Sequence, residues 1–318
     1  MKDLHILPKV RDSWSYLYVE HCRIDRQDNA IVLHDARGSV PVPCASLMVL
    51  LLGPGTTITH AAVAALAENG CLAIWCGEQG VRFYAQGLGE TRSAANLLHQ
   101  ARLWADPVLH MQVVRRMYEV RFREPLSPTL TLRQLRGLEG ARVREAYARA
   151  SKETGIPWQG RSYNRKSWKK SDPVNRALSA ANSCLYGICH AAIVSAGYSP
   201  ALGFIHTGKM LSFVYDVADL YKTEITIPVA FRETAKGTED LETRVRRACR
   251  DIFAETRLLA RIIPDIQRIL GTPQEEEPGD YDIDDALPGG LWDPETGPVW
   301  GGRNFGQEGD TSHGGPGA

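Results

Sequence analysis

The sequence predicts an α+β protein with a small N-terminal β-rich domain, a larger all-helical C-terminal domain and a disordered acidic tail. Three observations carry this. Short apolar runs broken by Gly, Pro and Asp-Asn signals fill residues 13–87. Beyond Gly89 the apolar residues recur with the helical period of about 3.6. From Gly271 onward Gly and Pro supply 18 of 48 residues, mixed with acids, and such a composition buries too little surface to offset chain entropy. The domain limits that follow are 1–88, 89–270 and 271–318.

Taken in order, the strand-like runs are 16–19, 30–34, 48–52, 71–75 and 81–86, with one helix interrupting them near 61–68. Helices are expected near 91–120, 131–153, 173–196, 208–221, 226–235 and 240–270, and Pro228 blurs the start of the fifth. The tail's isolated aromatics, Tyr281, Trp292, Trp300 and Phe305, are available to dock on a partner or on the rest of the chain.

At 318 residues and 43% hydrophobic content, about two domains with a substantial core are expected. The formal net charge of zero hides an asymmetry. The last 48 residues hold eleven acids and one base, leaving 36 bases against 26 acids in the other 270. A body of net charge +10 suits a polyanionic partner. The seven cysteines form no CxxC pair and read as reduced, buried thiols of a cytoplasmic protein. The N-terminus is too polar for a signal peptide, and the longest apolar run, 47–52, is too short to cross a membrane. Walker, GxSxG and HExxH motifs are absent.

The chemistry concentrates in three places. Residues 210–222, MLSFVYDVADLYK, are apolar almost all round a helical wheel except for Ser212, Asp216 and Asp219, which form one narrow stripe. Carboxylates on a buried helix need a positive partner, and a divalent metal is one. His206, just upstream in GFIHTGK, supplies an imidazole beside the basic Lys209. On the helix expected over 131–153, Glu139 projects into the apolar stripe of Leu132, Leu135, Val143 and Ala146. Finally, WQGRSYNRKSWKKS interleaves Arg161, Arg165 and Lys166 with Trp158, Tyr163 and Trp168 and contains no acid, a pattern suited to phosphates and stacked bases.

Taken together, LRGLEGARVREAY, SAANSCLYGICHAAIVSAGYSPALGFIHTGK, LSFVYDVADLYK and VRRACRDIF resemble the CRISPR adaptation integrase family ("Cas one"), most closely the type I-E subtype that accompanies Cascade. The resemblance runs in order over roughly residues 5–270. It implies an N-terminal β-domain that dimerises and a helical catalytic domain. It also implies a homodimer within a larger complex with the small companion "Cas two". The implied substrates are double-stranded DNA with single-stranded ends and CRISPR repeat DNA. The resemblance assigns Glu139, His206 and Asp219 as ligands of Mg²⁺ or Mn²⁺, with Asp216 a neighbouring acid of the catalytic set whose role stays open. It places Tyr186 near the site and Arg82, Lys209 and Arg246 on DNA. Relatives stack an aromatic on the duplex end where His21 stands here, with Tyr18 close by. The implied reaction is attack of a captured fragment's 3′-hydroxyl on a repeat phosphodiester. The alternatives are a metal-dependent endonuclease acting on branched DNA and a catalytically silent DNA-binding scaffold.

Overall fold

Strand β1 (Tyr16–Val19) opens a four-stranded sheet of order β1-β5-β7-β8, completed by β5 (Val49–Leu52), β7 (Leu72–Cys76) and β8 (Phe83–Gly87). Strand β1 runs parallel to β5, β5 runs parallel to β7, and β8 returns antiparallel to β7. A second sheet has the order β4-β3-β2-β6, from β2 (Arg23–Gln27), β3 (Ala30–Asp35), β4 (Gly38–Pro43) and β6 (Thr57–Ile58). The computed structural model describes residues 16–28, 30–44, 47, 49–78, 83–87, 94–161, 172–271, 291–294 and 297–299. Residues Met1–Pro273 form one compact unit and Gln274–Ala318 a second.

The uninterrupted apolar run of β5 is buried on both faces. Leu50 and Leu52 join Ile24, Ile31, Cys44 and the face of helix α1 (His60–Glu68) carrying Ala62, Ala65 and Leu66. Val49 turns the other way, towards Leu72, Ile74 and two side chains of a later helix, Ala191 and Val194. The alternation follows from the two-residue period of a strand. Strands β2, β4 and β6 were not expected. In β2, RIDRQ, Ile24 alone is apolar and fully buried, so pairing with β3 rather than composition makes the strand.

The helical part comprises α2 (Ala95–Ala105), α3 (Pro107–Phe122), α4 (Leu132–Thr154), α5 (Pro173–Ser195), α6 (Ser212–Ala218), α7 (Thr226–Ala235), α8 (Leu241–Glu255) and α9 (Leu258–Leu270). The single helix expected over 91–120 breaks at Asp106. The residue before Pro107 is pushed out of helical geometry, and the Asp106 carboxylate accepts from the N–H groups of Val108 and Leu109 at 2.7 and 3.0 Å. The helix expected over 240–270 breaks at Arg257, whose φ of 48° is left-handed. The helix expected over 208–221 shrinks to α6, because the N–H groups of Leu220 and Tyr221 bond three residues back and tighten the chain out of α geometry. Helix α4 starts on a capping box, in which Gln134 N–H donates to Thr131 Oγ1 and Thr131 N–H donates to Gln134 Oε1.

Helix α5 is the centre of the helical core and packs against α6, α7, α8 and α9. By length and composition it is the one helix among the described residues able to span a membrane, but most of it is buried inside the protein. All seven cysteines are buried, and none is in a disulfide. Within residues 271–318 the described residues are 271, 291–294 and 297–299. Leu291–Asp293 (β9) and Gly297–Val299 (β10) pair as an antiparallel hairpin around the turn-forming Pro294.

His190 of α5 stacks on Phe83 of β8 with ring centroids 3.8 Å apart. Burial pushes its imidazole down from 6.5 to about 4. The unfolded chain takes up this proton as pH falls through about 6.5, and the folded chain only near 4. Stability is therefore full above the first value and falls between the two, by about 3 kcal/mol. Melting curves of His190→Phe between pH 7 and 4.5 are expected to lose this part of the acid sensitivity. An unchanged pH slope would exclude His190 as its source.

Candidate active site

Asp216 organises the site. Its side chain is 0% exposed, in α6. A carboxylate in such a place needs donors on both oxygens. Oδ2 accepts from the N–H groups of Phe204 and Ile205 at 2.6 and 3.0 Å. Oδ1 accepts from the His206 N–H at 2.9 Å and from His206 Nδ1 at 2.7 Å. The loop over 203–206 is thereby wrapped onto the helix. Gly203 makes the wrap possible, since a Cβ there would lie 2.3 Å from the His206 carbonyl oxygen and 2.7 Å from Ser212. The same loop is held from α2 and α3. Gln100 Nε2 donates to the Ser199 and Leu202 carbonyls, Trp104 Nε1 donates to Gly203, and His110 Nε2 faces the Phe204 carbonyl at 2.8 Å.

With Nδ1 bonded to the Asp216 carboxylate, Nε2 is the ring nitrogen that faces the cluster. The ring is 42% exposed, and its Nε2 lies 3.9 Å from Asp219 Oδ2. Asp219 sits just past the end of α6, where Lys222 Nζ meets its Oδ1 at 2.5 Å. Burial pulls the Lys222 ammonium down, but Asp219 and Tyr186 outweigh it and hold it above its ordinary value. Glu139, on α4, pairs with Arg142 through Nε–H to Oε2 at 3.0 Å. One guanidinium, that of Arg121, reaches both carboxylates, at 3.5 Å from Glu139 Oε1 and 3.6 Å from Asp219 Oδ2.

Glu139, His206, Asp216 and Asp219 thus meet in one cluster. Among the described residues no group of three or more His, Cys, Asp or Glu is placed to hold an ion. Arg121 bridges Glu139 and Asp219 instead. Asp216, expected as a neighbouring acid of open role, is fully committed to orienting His206 and its loop. The donor chemistry still fits a divalent ion, because one imidazole nitrogen and two carboxylates share this cluster.

Tyr186 lines the cluster, with Lys222 Nζ 4.9 Å from its ring centroid. Tyr215 meets both Tyr186 and His206 edge to face. Lys209 is exposed on the loop leading into α6. Arg246 on α8 is bonded to Thr243 and lies 3.8 Å from Glu78. Arg161 is spent within the chain on Asn175 and Ser179 at the start of α5. Arg82, Arg165 and Lys166 lie outside the described residues. Sequence reasoning missed Arg121, Arg142, Lys222 and Tyr215. A wheel would have found Arg121, which follows Val114, Met117 and Tyr118 on the buried stripe of α3.

A β-rich segment followed by a helical core, with a carboxylate–histidine cluster ringed by arginine, lysine and tyrosine, defines an α+β protein whose site is built for charge-dominated chemistry. A family model described as "CRISPR associated protein Cas1" matches residues 119–249. The chain is 59% identical to "CRISPR-associated endonuclease Cas1 2" of Thermus thermophilus over 308 residues, covering 96% of this chain and 94% of the relative. It is 44% identical to "CRISPR-associated endonuclease Cas1" of Escherichia coli K12, covering 85% of this chain and 88% of the relative. The solved structure "Crystal structure of TtCas1-DNA complex" superposes with a TM-score of 0.76 at 60% identity, over 83% of this chain and 99% of that one. The chain belongs to the Cas1 family of CRISPR-associated proteins.

Proposed function

We propose that this chain is a metal-dependent DNA integrase of CRISPR adaptation, of the type I-E, Cascade-associated kind, acting in the cytoplasm. The observation that carries the proposal is the His206 presentation. A wholly buried Asp216 aims an imidazole nitrogen at the cluster that also holds Glu139 and Asp219. The relative of 60% identity solved with DNA supports the substrate class.

In this reading the 3′-hydroxyl oxygen of a captured fragment attacks a phosphorus of the repeat. A new P–O bond forms, the bond to the displaced 3′-oxygen breaks, and the attacking hydroxyl's proton is lost. Glu139, His206 and Asp219 would hold Mg²⁺ or Mn²⁺, which would polarise the phosphate and acidify the attacking hydroxyl. Asp216 fixes the tautomer and direction of His206. Arg142 pairs with Glu139 and Lys222 with Asp219, and the Tyr186 and Tyr215 rings wall the cluster. The residues up to 88 form the dimerisation domain and 89–270 the catalytic domain. The assembly is a homodimer that joins the companion "Cas two" on double-stranded DNA with single-stranded ends and on repeat DNA. Tyr186, Lys209, Arg246, Arg82, Arg161, Arg165 and Lys166 serve the DNA.

The relatives' name favours a second reading, in which water replaces the hydroxyl and the same cluster hydrolyses branched DNA. One assay separates them. A labelled fragment with free 3′-hydroxyls is mixed with a repeat duplex, the protein and Mg²⁺ or Mn²⁺. The integrase reading gives a joined, branched product that EDTA abolishes. Nicks without joined label would establish hydrolysis instead.

A further inference from the structure

Arg121 is placed oddly for a structural arginine. Its side chain is 3% exposed, yet its two carboxylate contacts are long, at 3.5 and 3.6 Å. Its third contact is a 3.3 Å donation to the Asp216 carbonyl. Its Nε is buried without a partner, and its guanidinium carbon lies 5.5 Å from the Tyr118 ring centroid. Taking a guanidinium out of water is costly and is repaid only by close, well-formed pairing. Arg121 has contacts on three sides and a tight one on none.

The charges of the cluster explain the position. Glu139, Asp216 and Asp219 bring three negative charges, and Arg121, Arg142 and Lys222 bring three positive ones, each in contact with this set. The cluster is balanced before any ion arrives. A divalent ion then adds two unmatched positive charges in a partly buried place. The nearest chemistry that restores balance is a phosphate of bound DNA.

We propose that Arg121 is a positioning residue, a built-in counter-cation that holds Glu139 and Asp219 together without metal and makes metal binding depend on a DNA phosphate. This rests on the metal reading above. Arg121 prevents the two carboxylates from repelling each other apart, and it also competes with the ion for both. Metal and DNA therefore bind more tightly together than separately, and the coupling is reciprocal.

The test is an electron paramagnetic resonance titration of the full-length protein with Mn²⁺, with and without a duplex whose 3′ ends are dideoxy and cannot react. The Asp219→Ala protein is subtracted as background. In the wild type, the duplex is expected to tighten Mn²⁺ binding about tenfold or more. In Arg121→Met, binding without DNA becomes tighter than in the wild type, and the gain from DNA shrinks to less than about threefold. Arg121→Lys keeps the charge and most of the gain. A residue that merely supports the fold would weaken the site when removed, so Arg121→Met binding Mn²⁺ no more tightly than the wild type overturns the proposal. If Arg121→Met does not fold, the wild type decides alone, and equal Mn²⁺ affinity with and without duplex overturns it. A wild type that binds DNA but no Mn²⁺ in either state overturns the metal reading itself.

Discussion

His206→Ala is expected to bind duplex DNA normally and to lose strand transfer by about a thousandfold or more, which corresponds to about 4 kcal/mol of transition-state stabilisation. The ring is 42% exposed, and among the described residues His206 hydrogen-bonds through Nδ1 and its backbone N–H, so its removal disturbs the fold little. What disappears is the imidazole of the cluster, the nitrogen donor beside the two carboxylates. Asp219→Ala should lose strand transfer as completely, but it also strips partners from Lys222 and Arg121 and should melt earlier. Gel-shift and strand-transfer assays on the purified variants separate binding from chemistry. Full activity of His206→Ala in Mg²⁺ would remove His206 from the ligand set.

Asp216→Ala is expected to cost more in stability than any other single change at the site. It deletes a fully buried carboxylate and leaves three backbone N–H groups and His206 Nδ1 without their acceptor. Breaking a buried, multiply bonded charge of this kind costs about 3–5 kcal/mol, or about 10 °C in melting temperature for a unit of this size. Asp216→Asn keeps the shape but puts an amide donor against donors, so it should recover little. Strand transfer is lost in both, because the loop of residues 203–206 no longer aims His206. Thermal melts and strand-transfer rates check this, and an Asp216→Asn protein with wild-type stability and rate would show that the four hydrogen bonds are not what positions the loop.

The sequence made some of this architecture legible and hid the rest for identifiable reasons. Glu139 could be placed because Thr131 and Gln134 announce the start of α4 and the Leu132–Leu135 stripe fixes its phase. The double-sided burial of β5 could be read from its unbroken apolar run. Strand β2 could not, since its stability comes from cross-strand pairing that leaves no apolar alternation. The stripe of Ser212 and Asp216 was real, and both are buried, but Asp219 lies beyond the end of α6. Its approach to His206 depends on the loop of residues 203–206 being wrapped onto Asp216, which no period encodes. The break at Asp106-Pro107 was written in the sequence, whereas the left-handed Arg257 carries no local signal. Arg121, Arg142 and Lys222 are hard to read from sequence because long basic side chains ordinarily lie on solvated faces.

The most direct measurement is anomalous scattering from crystals of the full-length protein grown with Mn²⁺ and a non-reactive DNA duplex. The account predicts one strong peak contacted by His206 Nε2 and by carboxylate oxygens of Glu139 and Asp219, with a DNA phosphate oxygen among its remaining ligands and Asp216 still bonded to His206 Nδ1. A peak held by other side chains, or no peak while DNA is bound and the cluster remains closed around Arg121, would contradict it.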